Sequence, residues 1–398
     1  MYNTCMKIIY LRSKISNDPR PFLAQQKAYA SVLEKSEEFQ AFIGDLPVLF
    51  IESGGTEEEF KEIYLTLPEP HILVATNANN SLPASLEICS FLRNNNREFV
   101  LLHGTPEEVV EMAKSHLEKK TANSISKKVD LLSGMRLGVV GKPSNWLISS
   151  ITDYEQLKGK LGVTLVDVPF EEFKEAISKA KDKVDPVVFE PKLNEKVSLE
   201  TLNGALKIYS ALRDIIVKYR LSGVTVRCFD LLGTLHNTSC LALAMLNKDG
   251  YIATCEGDVP AMLTMALVHK LTNQSSFQVN PSYINLKERY AYFAHCTLPL
   301  DMCLSYKFDT HFESGIGLGI AGRLNLGKVT VLKVNKDWSK FQALEGKITA
   351  NLGRNDLCRT QVKVNFDEDI SSLLTDPLGN HIIICYGAHK DKIDQLLK

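Results

Sequence analysis

No apolar stretch of this 398-residue sequence approaches the roughly 20 residues needed to cross a bilayer. The opening segment, Met1 to Arg12, has neither the apolar centre nor the small-residue cleavage site of a secretory leader. Those two lacks predict a chain without a membrane span or leader. An excess of charge of either sign is missing too: 46 lysines and arginines face 47 aspartates and glutamates. The formal net charge of −1 gives no footing for broad electrostatic binding to nucleic acid or anionic membrane. CxxC spacing is absent, and the nine cysteines, an odd number scattered from Cys5 to Cys385, suit neither a disulfide framework nor a thiolate zinc site. A reducing cytoplasm is the expected compartment. Missing as well are the GxxxxGK[ST] phosphate loop, the HExxH helix and the GxSxG elbow, and with them the reactions those motifs carry.

What is present is alternation. Short apolar runs at 7–11, 47–51, 71–75 and 98–103 are separated by amphipathic stretches such as 84–93 and 106–117. Strands alternating with helices predict a parallel sheet covered on both faces. A polar stretch at 118–132, basic at Lys119, Lys120, Lys127 and Lys128, reads as a linker. The scheme then repeats, with strands expected at 136–140, 163–168, 224–228, 251–255, 276–279 and 289–294. Within it, Leu202, Leu206, Tyr209, Leu212 and Ile216 mark the core stripe of a long helix over 200–219. Beyond 303 the pattern becomes short, glycine-punctuated alternation at 328–334, 346–351 and 360–364, closed by a helix at 390–397. The expected fold class is α/β: two tandem parallel-sheet α/β domains, 1–127 and 128–302, followed by a small β-barrel-like domain, 303–398.

Polar residues of the middle region follow directly after its strands. Gly141-Lys142-Pro143-Ser144, Phe229-Asp230, Glu256-Gly257-Asp258, Asn280-Pro281-Ser282 and His295-Cys296-Thr297 all do so. Ligands of open α/β sheets bind outside the carboxyl ends of strands, so these loops converge on one rim if their strands are parallel neighbours. Glu256 is the sharpest candidate, because Gly257 lets the backbone turn away and Asp258 is a natural N-cap for a helix over 260–271. His295 reads either as a satisfied core histidine or as a ligand, and so does His381, at the entrance of an apolar strand over 382–386. Carboxylate and imidazole together suit Mn²⁺, Zn²⁺ or Fe²⁺, although no HxxxH or HxH spacing enforces a site. Gly317 to Gly322 fits GxGxxG, but the strand at 328–334 follows too closely for the helix a dinucleotide site needs.

Several of these residues together carry a likeness. Arg227-Cys228-Phe229-Asp230, Cys240-Leu241-Ala242-Leu243, the run from Ala253 through Glu256-Gly257-Asp258 to Met265, Ala294-His295-Cys296-Thr297 and Gly379-Asn380-His381 resemble the L-fucose and L-arabinose isomerases. Gly141 to Leu147 resembles a fucose isomerase-related branch. The resemblance implies two α/β domains and a barrel. It also implies a metal-dependent aldose–ketose isomerase that moves a proton through a metal-bound enediol, with Mn²⁺ as cofactor. Carried over, Glu256 and His381 are metal ligands, and His295 takes the place of a further histidine of the arabinose isomerases. Asn280, 24 residues beyond Glu256, stands where fucose isomerase has an acid. Its amide oxygen can bind a hard cation but cannot exchange a proton near neutral pH. Glu256 is then the expected base, and Asp258, Glu313 or a metal-bound water the second proton carrier. Arg12, Asn380, His311 and Glu313 are the expected substrate-binding residues. A homo-oligomer, trimer or hexamer, is implied, with Arg12 reaching a neighbour's site. The substrate is a small sugar: a pentose, a deoxyhexose or an anionic sugar. The alternative is a non-catalytic sugar-binding or regulatory protein on the same fold, which Asn280 favours.

Overall fold

The computed structural model describes residues 6–13, 20–115, 119–181 and 184–398. Cys5 and the last two residues of the helix expected over 106–117 lie outside them; that helix is described as Pro106–Ser115. Strands β1 (Ile8–Leu11), β2 (Val48–Ile51), β3 (His71–Ala75) and β4 (Phe99–His103) form a parallel sheet in that order. Every residue of β2 and β3 is buried, as continuous apolar runs in a sheet covered on both faces should be. The polar connection holds β5 (Asn123–Ser124). A second parallel sheet, in the order β7-β6-β8-β9, is built from β6 (Arg136–Val140), β7 (Thr164–Val168), β8 (Gly223–Val226) and β9 (Ile252–Cys255). The helix Leu199–Tyr219 buries the whole expected stripe.

The third sheet begins earlier than the pattern implied. β10 (Phe277–Asn285) and β11 (Tyr290–His295) were expected to continue the second sheet. They form an antiparallel hairpin instead, and pair outward with the chain's last strands. The reason lies in the connection: only residues 286–289 separate them, whereas a parallel pair needs a crossover of a dozen or more residues. β12 (Cys303–Asp309) and β13 (Gly319–Leu324) make a separate two-stranded ribbon. The GxGxxG stretch therefore ends in a strand, and a Cβ at Gly322 would lie 2.5 Å from Leu298. With β14 (Gly327–Val334), β15 (Lys340–Asn351), β16 (Thr360–Phe366) and β17 (Ile382–Tyr386), the order β14-β17-β10-β11-β16-β15 closes on itself through β14–β15 into a six-stranded barrel. β5 joins β15 at the side.

One apolar core runs through all three sheets; Leu73, Val226 and Ile384 belong to it. The helix Ser81–Asn94, buried on nearly every side, packs against both β4 and β10. Among the described residues no helix is long and apolar enough to cross a membrane. Eight cysteines are described, and all are free thiols.

Candidate metal centre and cleft

Two loops lock where β6 and β9 end. Glu256 has φ +66°, a left-handed conformation that costs a side chain free energy and collects at functional sites. Its carbonyl accepts from the Ser144 N–H at 2.9 Å, and its Oε2 accepts from the Trp146 indole N–H at 2.5 Å. Gly257 follows at φ +71°, where a Cβ would lie 2.5 Å from the Lys142 carbonyl oxygen. Only glycine permits this approach of the two loops. Asp258 then caps the helix Val259–Thr272: its Oδ1 accepts from the Ala261 N–H at 2.7 Å.

The barrel supplies the histidines. Nδ1 of His381 meets Asp258 Oδ2 at 2.8 Å, and Nε2 lies 3.4 Å from Glu256 Oε1. At the end of β11, Nδ1 of His295 is hydrogen-bonded to the Thr297 hydroxyl at 2.9 Å. Glu256, His295 and His381 each offer one donor atom, all within 4.8 Å of one another. Asn280, on β10, has a buried Oδ1 without a hydrogen-bond partner and lines a small inner cavity with Glu256 and His295. A carboxylate, two imidazoles each fixed through Nδ1 and an orphaned amide oxygen are donors that a divalent cation accepts. This set fits the cation, and no metal identity follows from it.

Proton affinities differ sharply across the centre. Burial alone would lower that of His381, but Glu256 and then Asp258 raise its pKa to about 10, so a cation held there would take the place of the Nε2 proton. Burial raises the Glu256 pKa less than His381, His295 and Trp146 lower it, so it lies below the usual carboxylate value. For Asp258 burial is likewise outweighed, by Lys333 and His381 together, and the pKa falls to about 2. His295 goes down to about 3 and His311 to about 4, both chiefly by burial. They are neutral imidazoles at pH 7, the form that binds cations. Burial, then the charge of Glu256, raises Glu313 to about 7 against the pull of its Asn80 hydrogen bond.

Above the centre lies a cleft of about 260 Å³, lined among others by Glu256, Asn280, Asn380, Trp146 and Glu313. The remaining expected site residues fall unevenly around it. Glu313 accepts from Asn80 and faces both the cleft and the inner cavity. His311 reaches only the inner cavity, its ring 5.3 Å from that of Phe229. Asn380 accepts from the His381 N–H at 2.8 Å, which orients the strand entrance. Asp258 points away from the cleft, with its oxygens committed to Ala261 and His381. Arg12 sits over the Phe22 ring at 5.3 Å and reaches the cleft only through that side chain.

Behind His381 lies a buried charge network that the sequence pattern did not reveal. Lys333, 1% exposed, stands 4.0 Å from Asp258 Oδ2. The fully buried Glu87 accepts from the Ser149 N–H at 2.7 Å and the Asn380 N–H at 3.1 Å. Both side chains crowd Gly379, at φ +118°, where a Cβ would lie 3.2 Å from Glu87 and 3.3 Å from Lys333. The available signal was a lone charge inside an apolar run: Glu87 between Leu86 and Ile88, Lys333 between Leu332 and Val334.

The chain is 22% identical over 328 residues to sulfoquinovose isomerases of Priestia aryabhattai and Priestia megaterium, an overlap of 77% of this chain and 71% of theirs. A sulfoquinovose isomerase of Alkalicoccus urumqiensis is 23% identical over 225 residues, 54% of this chain and 49% of its own. No family model matches the chain. Among solved structures, D-threo-3-hydroxyaspartate dehydratase from Delftia sp. HT23 overlaps 95% of this chain and 82% of its own at 11% identity, with a TM-score of 0.14. The expectation of an isomerase agrees with what the relatives are named.

Proposed function

We propose that this protein is a divalent-metal-dependent aldose–ketose isomerase acting on a monosaccharide. The observation that carries this reading is the gathering of Glu256, His295 and His381 within 4.8 Å, with Glu256 opening onto a cleft of about 260 Å³. The sugar isomerases among the relatives support it. Glu256, His295, His381 and the Asn280 amide oxygen would hold the cation. When bound, it supplies a Lewis acid that stabilises negative charge developing on adjacent substrate oxygens.

Isomerisation takes a proton from the carbon beside a carbonyl and returns one to its neighbour. Glu256 is the base in this reading: its Oε2 accepts from the Trp146 N–H, and its Oε1 faces His381 Nε2 at 3.4 Å. A second group must pass a proton between the two substrate oxygens. Asn280 cannot do so, and Asp258 is committed behind His381. Glu313 lines the same cleft and has a pKa of about 7, so it exists in both protonation states at neutral pH, as a proton carrier requires.

Glu313→Gln is expected to slow turnover by about 10²-fold or more, the lower range of general acid–base contributions. Its stability profile is a separate readout. A carboxyl at about 7 in the fold and 4.5 when unfolded binds more protons folded than unfolded between those values. Wild-type stability therefore falls as pH rises through that window and levels off above it. The advantage of Glu313→Gln in urea midpoint should grow from about pH 4.5 to about pH 7 and then stay constant. An advantage that does not vary with pH contradicts the assignment.

The activity itself is tested by chelator stripping, Mn²⁺ add-back and proton NMR of an aldose panel in D₂O. Ketose carrying deuterium at the carbon beside the carbonyl is the expected product. A protein that binds sugars and Mn²⁺ but converts none is the second reading, a binding protein, which the loss of a carboxylate at Asn280 favours.

A further inference from the structure

Glu57 is a carboxyl group that the isomerase chemistry leaves unused. It opens the short helix Glu57–Ile63, directly after the loop beyond β2 that brings Ser53 and Gly54 to the cleft wall. Its side chain is buried, at 2% exposure, yet it lines the cleft. Its own N–H and that of Thr56 serve the carboxyl group, and Oε2 has no hydrogen-bond partner. A buried carboxyl oxygen without a partner is costly, and the side chain that carries it lines the cleft. Ser53, Asn79 and Asn80 stand on the same wall, so the groups beside Glu57 are hydroxyls and amides, the chemistry that reads sugar hydroxyls. Glu256, by contrast, belongs to the metal centre.

We infer, on the isomerase reading above, that Glu57 is a specificity residue that hydrogen-bonds a hydroxyl of the sugar remote from the metal, and that the cleft takes a neutral sugar. Glu57, Glu256 and Glu313 place three carboxyl groups around one cleft. Among the described residues that line it there is no lysine or arginine, so a sulfonate brought into this buried, poorly solvated space finds no side-chain cation to receive it. Two described guanidiniums stack on aromatic rings of the cleft wall, Arg12 on Phe22 and Arg359 on Phe312; Arg12 is already faced by Glu52, and Arg359 donates to the Thr310 carbonyl oxygen. In this respect the chain departs from the relatives named for sulfoquinovose, a sulfonated hexose.

The experiment uses the Mn²⁺-loaded full chain, with a panel of neutral pentoses and hexoses beside sulfoquinovose. Wild type should convert its best neutral aldose with a kcat/KM at least about 100-fold above that for sulfoquinovose, a discrimination that unpaired or repelled polar groups readily supply. Glu57→Gln keeps the size and exchanges one carboxyl oxygen for an amide nitrogen; it should raise KM for that aldose by about 10-fold, one lost hydrogen bond's worth, with kcat changed by less than about 3-fold and Mn²⁺ affinity unchanged. Preferred turnover of sulfoquinovose, or an unchanged KM in Glu57→Gln, overturns the inference while leaving the isomerase reading intact. If no sugar is converted the isomerase reading fails, and calorimetric binding then decides the inference: a neutral hexitol should bind more tightly than sulfoquinovose, and the reverse order refutes it. The wild-type comparison stands even if Glu57→Gln does not fold.

Discussion

Glu256→Gln is expected to lower kcat/KM for aldose–ketose conversion by more than about 100-fold and to weaken Mn²⁺ binding by a comparable factor. Outer partners of a metal site alone account for about 10–100-fold in affinity, and Glu256 is the only carboxylate among the three clustered donors. The glutamine retains an acceptor for the Trp146 N–H and nearly the same volume, so the chain should remain folded. What it loses is the charge that faces His381 and the capacity to take a proton. Calorimetry with Mn²⁺ and turnover by NMR check both halves. Full activity in a folded variant would remove Glu256 from the reaction.

Lys333→Met should destabilise the fold by about 3–5 kcal/mol, the usual consequence of removing one partner from a buried ion pair. Lys333 is 1% exposed and Asp258 fully buried, with 4.0 Å between their charged atoms. Glu87 is buried beside them, and Lys333 is the largest influence opposing the effect of burial on its proton affinity. Methionine fills the space and removes the cation beside Glu87 and Asp258, leaving Asp258 only its His381 contact and Glu87 without a compensating charge. The loss should be partly restored in the double variant Lys333→Met/Glu87→Gln, because neutralising Glu87 removes one of the stranded charges; a double-mutant cycle from urea unfolding measures the coupling. Additive effects would show that Lys333 and Glu87 do not share a network.

Strand order was the harder part to read from the sequence, and the loops around Glu256 the easier. β2 and β3 announce themselves as apolar runs, and the first two sheets follow from their alternation with helices. The hairpin β10–β11 was legible as two strands but not as barrel strands, because membership depends on pairing with β16 and β17, which lie far along the chain. That pairing is what brings His295 and Asn280 to Glu256, which explains why no local spacing of histidines foretold the cluster. Glu256-Gly257-Asp258 was readable because all three residues act locally, at a strand end, in a left-handed turn and as a helix cap. Glu57, Glu87 and Lys333 were not, since a charged residue in a helix or strand reads as solvent-facing until its neighbours arrive. The likeness of Gly379-Asn380-His381 acquires a physical reason in Gly379, whose φ of +118° strains any residue with a Cβ, beside the crowding side chains of Glu87 and Lys333.

That Glu256, His295 and His381 form one cation site is tested most directly by pulsed electron paramagnetic resonance of the Mn²⁺-loaded protein. One bound ion per chain is predicted, with nitrogen couplings from two imidazoles in wild type and from one in His295→Gln. Failure of the chain to retain Mn²⁺, or nitrogen couplings unchanged in both His295→Gln and His381→Gln, would contradict it.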